Sequence, residues 1–382
     1  MKSFDVIIIG CGASGTMCAL ASNNKSIAII DSAIKPAKKI LVTGNGRCNL
    51  TNVNLNSNKY NQNIDKYLEK FSVKDTLNFF NSIGLEYYYD EEGRVYPISN
   101  SAKSVVDVLV NQLKQKAEIF CENTVSSIEK VGKSFVVKTN KDIFSCNKLV
   151  IATGGSFANE IAKLGIKSKE FVPSLVSLKS KTITEDLNGI RLSNVKVTAK
   201  NQNGKTKSDK GEILFKTNGI SGIVIFNIST IFARDNLFKG GLTIDLLPEI
   251  DDKLLAEKLK NRKTISQKMS GYFVGMFQPP VANLILKIAK IDTNLDCKNL
   301  SNTQIDSIVK VIKNLQFTID GCFDNNQVFS GGIELKNLTE NMMSKQIENL
   351  YIVGEICDVD GECGGYNLQW AWTSGHIAGV AL

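Results

Sequence analysis

The feature that most constrains this chain is the run DVIIIGCGASGTMCALASNNKSIAIID at residues 5–31. Residues 6–9 are an unbroken apolar stretch that meets glycine, the mark of a strand buried on both faces of a parallel sheet. Gly10, Gly12 and Gly15 follow in the spacing G-x-G-x-x-G, then a helix of small and apolar residues to about Ser22, then a second buried strand ending in Asp31. Gly10 allows the tight turn, Gly12 lets backbone approach a pyrophosphate, and Gly15 lets helix and strand pack closely. The helix start offers unpaired N–H groups and partial positive charge to phosphates. Asp31, 21 residues after Gly10, stands where a ribose-binding carboxylate belongs. A glycine triplet alone specifies little. The strand before it, the helix after it and the acid ending the next strand together predict a dinucleotide-binding unit.

Beyond this unit the texture changes several times. The decapeptide TGNGRCNLTN at 43–52 has neither helical nor strand period and reads as a loop, either a surface linker or part of a cofactor site. Residues 60–86 read as helical, and YYYDEEGRVYP as a short hairpin around 91–93. SAKSVVDVLVNQLKQKA is an amphipathic helix with Val105, Val108, Leu109 and Leu113 on one face and Ser101 as its expected cap. TVSSIEKV, SFVVKTN and DIFSC suggest an antiparallel meander, and KLVIATGG a further buried strand. From about Leu178 short alternating strands with Asn-Gly turns suggest a small barrel or sandwich. Residues 251–314 turn helical, QFTID returns to strand, and the chain ends in a helix rich in small and aromatic residues.

Composition narrows the classes. A chain of 382 residues implies two or three domains. No apolar run reaches the roughly 18–20 residues of a membrane span. The apolar start meets glycine at once and reads as a strand rather than an export signal, so a cytoplasmic setting is expected. Nine cysteines form no CxxC pair and no zinc spacing, which predicts reduced thiols. The single histidine, His376, excludes a multi-histidine metal site, and no metal is expected. The net charge of +8 is spread along the chain, which favours a solvated basic surface over nucleic-acid binding.

Five motifs occur in order: GCGASG, LVTGNGRCNLTN, GRVYPISNSA, LVIATGG and GEICDVDGECGGYNLQWAWTSGHIAG. With them the chain resembles, over essentially its whole length, the NAD(P)/FAD-dependent oxidoreductase flavoproteins that include aminoacetone-oxidase-like and 3-dehydro-bile-acid-reductase-like proteins. GRCNLTN and DVDGECGGYNLQWA are the most specific pieces. The resemblance implies an α/β fold: a glutathione-reductase-like, FAD-binding Rossmann domain made of both chain ends. It also implies an inserted β-barrel-like domain carrying a helical subdomain. The expected boundaries are 1–178 and 325–382 for the FAD domain, 179–248 and 314–324 for the β domain, and 249–313 for the helices.

The same resemblance assigns residues to FAD. Gly10, Gly12, Ala13, Ser14 and Gly15 would cradle the pyrophosphate and Asp31 the adenosine ribose. Lys39, Gly44, Gly46, Arg47, Cys48, Asn49 and Thr51 would lie along the pyrophosphate and flavin side. Val125 would meet the adenine, and Thr153 and Gly154 the AMP half. Gly354, Glu355 and Asp360 would sit by the ribityl chain, and Gly365, Tyr366, Asn367, Leu368 and Gln369 would open the last helix under the flavin. A helix N-terminus aimed there stabilises the anion formed on reduction, by about 0.3–2 kcal/mol.

The function implied is an FAD-dependent oxidoreductase acting on a small molecule, with no nucleic-acid or membrane partner. No residue stands out as catalytic. One G-x-G-x-x-G is present, so NAD(P)H would dock transiently or not at all. Two alternatives stand beside this reading: a tRNA-modifying flavoprotein and a non-catalytic flavin-binding redox sensor. Cys357 and Cys363 are read as free thiols rather than a redox pair, Trp370 and Trp372 as core, and His376 as a packing residue. Arg94 and Tyr96 are equally compatible with an ordinary hairpin and with a substrate-side role.

Overall fold

The computed structural model describes the backbone of residues 1–382 and the side chains of all but residue 156 and residues 158–160. The chain divides into two compact units, Met1–Val172 with Val328–Leu382, and Pro173–Gln327.

The first unit opens with β1 (Lys2–Ile9), α1 (Ala13–Ala21) and β2 (Ile27–Ile30), as the glycine unit predicts. The polar stretch at 43–52 is more structured than its lack of period suggests. Tight 3-10 turns run over Lys38–Gly46, and β3 (Thr51–Asn52) begins a small sheet. Left-handed backbone at Gly44, Asn45, Gly46 and Cys48 makes these turns, which no hydrophobic period can announce. The helical reading of 60–86 resolves into α2 (Asp65–Leu68) and α3 (Val73–Ser82). They are separate because Ser72 and Asp75 form a reciprocal capping box that starts a new helix. β4 (Tyr87–Tyr89) and β5 (Arg94–Pro97) form the expected hairpin, and β5 also pairs with β3. α4 (Ala102–Lys116) follows; Ser101 stands at its start, but its side chain makes no capping bond.

Next come β6 (Glu118–Phe120), β7 (Val125–Val131), β8 (Ser134–Thr139) and β9 (Ile143–Ile151), then α5 (Ala158–Lys163). DIFSC and KLVIA, read from sequence as separate strands, form the single strand β9. One edge of β9 pairs in parallel with β1 along its length. Its other edge is shared. The first half pairs antiparallel with β8, and the second half pairs in parallel with a strand from the far end of the chain.

The strand β10 (Lys169–Ser174) leads into the second unit. Its sheet contains β11 (Leu178–Lys179), β12 (Arg191–Asn201), β13 (Thr206–Lys216), β14 (Gly219–Ser221), β15 (Gly240–Asp245), β16 (Leu315–Ile319) and β17 (Gly321–Cys322). The order is β16-β15-β12-β13-β14-β11-β17, antiparallel throughout. Residues 315–322 therefore pair with both ends of the sheet and close it like a barrel. α6 (Ile223–Arg234) packs on the inner face of β12 and β13 through Ile225, Ile228 and Phe232. α7 (Asp252–Asn261), α8 (Pro279–Ile288) and α9 (Asn302–Lys313) interrupt the barrel between β15 and β16.

The chain then completes the first unit with β18 (Val328–Gly332), β19 (Leu350–Ile352) and α10 (Tyr366–Ala381). β19 supplies the second partner of β9, giving a sheet of order β6-β2-β1-β9 with β8 and β7 beyond. α10 lies directly on α1. A Cβ on Gly375 would stand 2.4 Å from the Ser14 carbonyl oxygen, and one on Gly379 would stand 2.4 Å from that of Cys18. Two small residues one turn apart thus let the helix backbones touch. Trp370 and Trp372 are buried core residues whose indole N–H groups donate to Gly354 O (3.1 Å) and Leu50 O (3.0 Å).

Candidate functional site

A cavity of about 760 Å³ opens at the carboxyl ends of β1, β2 and β9, within the usual size range of small-molecule sites. The Gly10 turn starts it. Gly10 has φ +104°, and a Cβ there would stand 2.4 Å from Ala152 O, so only glycine fits. Gly15 faces inward, where a Cβ would stand 2.0 Å from Gly10 O. Gly12 has nothing within 4 Å of its Cβ position and borders open cavity. It is also the N-cap of α1, and no side chain caps the helix there. The first-turn N–H groups, with their partial positive charge, are thus left for a ligand. Asp31 is held beside them: its carboxylate accepts the Cys11 N–H at 2.6 Å and the Ala33 N–H at 2.7 Å. Uncapped donors, a backbone approach open at Gly12 and a fixed acid at the end of β2 together fit a dinucleotide.

Ten of the residues assigned to FAD line this cavity: Gly10, Gly12, Ala13, Ser14, Asp31, Lys39, Val125, Thr153, Gly154 and Glu355. Lys39 bonds Glu355 at 2.6 Å across it, and the other Glu355 oxygen accepts the Phe329 N–H at 2.9 Å. Lys39 is more than half exposed, so the pair orients Glu355 more than it stabilises the fold. Gly15 and Gly354 serve from behind the wall; Gly354, at φ +80°, lies against the Ser14 side chain. Cys11, Ser32, Asn123 and Thr124 also line the cavity and lie outside the residues the resemblance assigns. Asn123 and Thr124 follow β6, the third parallel strand, and the rule that ligands bind at the carboxyl ends of such strands would have found them.

Most of the other assigned residues form a second cluster between β3 and the start of α10. Asn49, oriented to satisfy its surroundings, donates to Thr51 O (2.9 Å) and accepts the Gly365 N–H (3.0 Å). The Thr51 hydroxyl donates to Gln369 (2.6 Å), whose amide nitrogen donates to Thr76 (2.8 Å) and Thr373 (3.0 Å). Asn367 clasps the backbone of Gly361, accepting its N–H at 2.9 Å and donating to its carbonyl at 2.8 Å. Tyr366 is buried, edge-on to Tyr60, and Leu368 packs into the adjoining core. Asp360 is buried and accepts from Ser330 at 3.1 Å. These side chains hold the loop together, and residues 362–365 before α10 are half-buried. Gly365, at φ +100°, is pressed on Thr51.

Gly44, Gly46 and Arg47 lie outside the cavity lining. The Arg47 guanidinium stacks over Tyr96, 4.3 Å from the ring centre. Arg94 is bound to Asp90 and Glu92, each at 2.7 Å. Cys11, Cys48 and Cys357 are buried thiols that form no disulfide. Burial pushes the thiols of Cys11 and Cys48 up to about 12 and that of Cys357 still higher, so they stay protonated and inert.

His376 stacks on Phe71 at 4.0 Å, and burial lowers its pKa despite the opposing pull of Asp75. The unfolded chain binds a proton below about pH 6.5 that the folded chain resists, so stability falls as pH drops through that window. Urea midpoints should therefore fall more steeply from about pH 7.5 to about pH 5.5 in the wild type than in His376→Phe. Parallel curves would mean that His376 is not the group responsible.

A glycine turn, an uncapped helix start and an acid-ended second strand on a parallel sheet define a dinucleotide-binding protein of the Rossmann class. The family model described as HI0933-like protein Rossmann domain matches residues 4–381, and the chain belongs to that family. It is 31% identical to a 3-dehydro-bile acid delta(4,6)-reductase of Clostridium scindens, over 98% of each chain. It is 29% identical to a ribosomal RNA dihydrouridine synthase of Haemophilus influenzae, again over 98% of each. A solved 3-ketosteroid delta1-dehydrogenase from Sterolibacterium denitrificans aligns with a TM-score of 0.50 at 12% identity, over 99% of each chain; that likeness concerns the fold alone.

The chain is accordingly an oxidoreductase with FAD as its dinucleotide. The relative named for ribosomal RNA runs against the expectation that nucleic acid plays no part. Among the described residues, no helix is long and apolar enough to cross a membrane.

Proposed function

We propose that this protein reduces a carbon–carbon double bond conjugated to a carbonyl group. The observation that carries the reading is the cavity over the uncapped start of α1, bordered by Asp31 and the Lys39–Glu355 pair. The relatives' names supply the chemistry. A 3-dehydro-Δ4,6 acid holds its double bonds in conjugation with a 3-oxo group, and uridine holds its C5=C6 bond beside the C4 carbonyl. Both are electron-poor alkenes that accept hydride at the carbon remote from the carbonyl and a proton at the nearer one.

Bound FAD, once reduced, supplies the hydride. The chain's own part is to hold and orient it. The first turn of α1, Gly12 and Asp31 would hold the dinucleotide's phosphate and ribose side; all border one cavity with Val125 and Thr153. The start of α10, with Gly364 and Gly365 before it, would meet the flavin end. NAD(P)H would dock transiently as donor, in keeping with the single G-x-G-x-x-G of the sequence.

The test is anaerobic reduction of the FAD-loaded protein with NADH or NADPH, followed by a conjugated enone or a uridine-containing RNA. Reoxidation of the flavin by one of them, with loss of the alkene, is expected. Reoxidation by oxygen alone would sink the reading. Arg47→Ala serves as a check on the loop at 43–52. Loss of a charge-assisted contact of about 1.5–3 kcal/mol should weaken FAD binding roughly tenfold or more. Loss of the stack on Tyr96 should cost stability only about 0.5–1 kcal/mol. Unchanged FAD affinity would remove Arg47 from the site.

A further inference from the structure

The basic residues look evenly spread along the linear sequence, but their balance against acids is not even. Residues 173–327 hold 22 Lys and Arg against 15 Asp and Glu, a net +7. The other unit holds 24 against 23 and is nearly neutral, so almost all of the chain's +8 belongs to the inserted unit.

Part of that charge lies on a built face. Lys196, Thr198 and Lys200 alternate with the buried Val197 and Ala199 along β12 and point outward. In register beside Thr198 stand Ser208 on β13 and Thr243 on β15, with Gln316 of β16 beyond. The Thr198 and Ser208 hydroxyls bond each other at 2.7 Å. A shallow hollow of about 590 Å³ is lined by Thr198, Lys200, Thr243 and Gln316 of this face. Asp245, the carboxylate in register with Lys196, is bound to Lys313 at 2.7 Å and does not cancel the lysines. Lys196 and Lys200, four residues apart on one strand face, stand about 14 Å from each other.

We propose that this face of the inserted unit docks double-helical RNA by its backbone. Lysines with Ser, Thr and Gln side chains are the groups that meet phosphate and sugar oxygens. Duplex RNA is read chiefly through phosphates and 2′-hydroxyls, by shape. The outward residues of these rows include no aromatic ring, and Phe317, which lines the hollow, is buried, so the base-stacking mode of single-strand binders is disfavoured here. The inference extends the RNA arm of the proposed function, but it concerns binding and is measured without turnover.

The test uses the FAD-loaded full chain and a fluorescent RNA hairpin with a long stem, titrated at several salt concentrations. Single-stranded polyuridylate and a DNA duplex of the stem sequence serve as comparison ligands. The hairpin should bind more tightly than either. K196A/K200A should lower the salt slope by about two and weaken binding at least tenfold near physiological salt. K114E, an exposed lysine of the other unit, should change it little. FAD content and reduction of a small enone should be unaffected by K196A/K200A. Wild-type RNA affinity in K196A/K200A, an equal loss in K114E, or equal affinity for the DNA duplex would each overturn the proposal. Enone reduction intact in a protein that binds no RNA overturns the docking face and leaves the reductase reading standing. Loss of enone reduction with RNA binding intact does the reverse.

Discussion

Gly15→Ala is expected to cripple folding of the first unit, whereas Gly12→Ala, three residues earlier, should keep the fold and lose the cofactor. At position 15 the new methyl would stand 2.0 Å from Gly10 O and 3.1 Å from the Ala152 side chain. One contact is rigid backbone in the turn that aims the cavity, so α1 must move off the sheet. The cost should be about 3 kcal/mol or more, a large share of a typical domain's stability. At position 12 the methyl meets no protein atom and projects where a pyrophosphate would approach. Melting without FAD should place Gly15→Ala many degrees below the wild type and Gly12→Ala close to it. FAD titration should then show Gly12→Ala at least tenfold weaker. Wild-type melting in Gly15→Ala, or wild-type FAD affinity in Gly12→Ala, would mean that these glycines do not divide the work in this way.

Gln369→Leu is the second large effect. The Gln369 side chain is fully buried and joins Thr51 on β3, Thr76 on α3 and Thr373 on α10. Leucine matches its shape but none of its bonds. The Thr51 hydroxyl then loses its acceptor inside the core, at about 1–3 kcal/mol, and two further bonds of about 1 kcal/mol each disappear. A total of about 3–5 kcal/mol is expected, read as a fall in the urea midpoint with unchanged slope. The Gly365 backbone is pressed on Thr51, so this loss should also loosen the start of α10 and raise the FAD dissociation rate. Gln369→Glu, tested at low pH where the acid is neutral, should recover part of the stability. A Leu variant as stable as wild type would reduce this network to decoration.

The dinucleotide unit was legible because all of its signals are local. Apolar runs, glycine spacing and Asp31 fall within 27 consecutive residues and report directly on turn, helix and strand. The hairpin at 87–97 and α4 were legible for the same reason. The polar cluster was legible only as a resemblance, because Thr51 and Gln369 meet across 318 positions and no period links them. β9 reads as two strands in sequence because its first half is half-exposed beside β8 while its second half is buried between β1 and β19. A strand that changes neighbours midway changes its burial pattern midway. The split of +7 and +1 between the units does not show in the spacing of the lysines, because it depends on where the acids fall.

The contact between α1 and α10 has a kinetic meaning. The two helices touch backbone to backbone, yet everything from Ser22 to Gly365 lies between them along the chain. Such a seam cannot form until the intervening polypeptide has turned back on itself. The entropy of that closure, and the slowness of distant contacts generally, place it late in folding. Until then α1 has its turn but not its backing, and the cradle at its N-terminus is half built. The closing event that seals the hydrophobic interior is also the one that makes the molecule competent for its cofactor. Refolding from denaturant should therefore wait on the chain's own topology, with FAD arriving at a finished site and setting no pace.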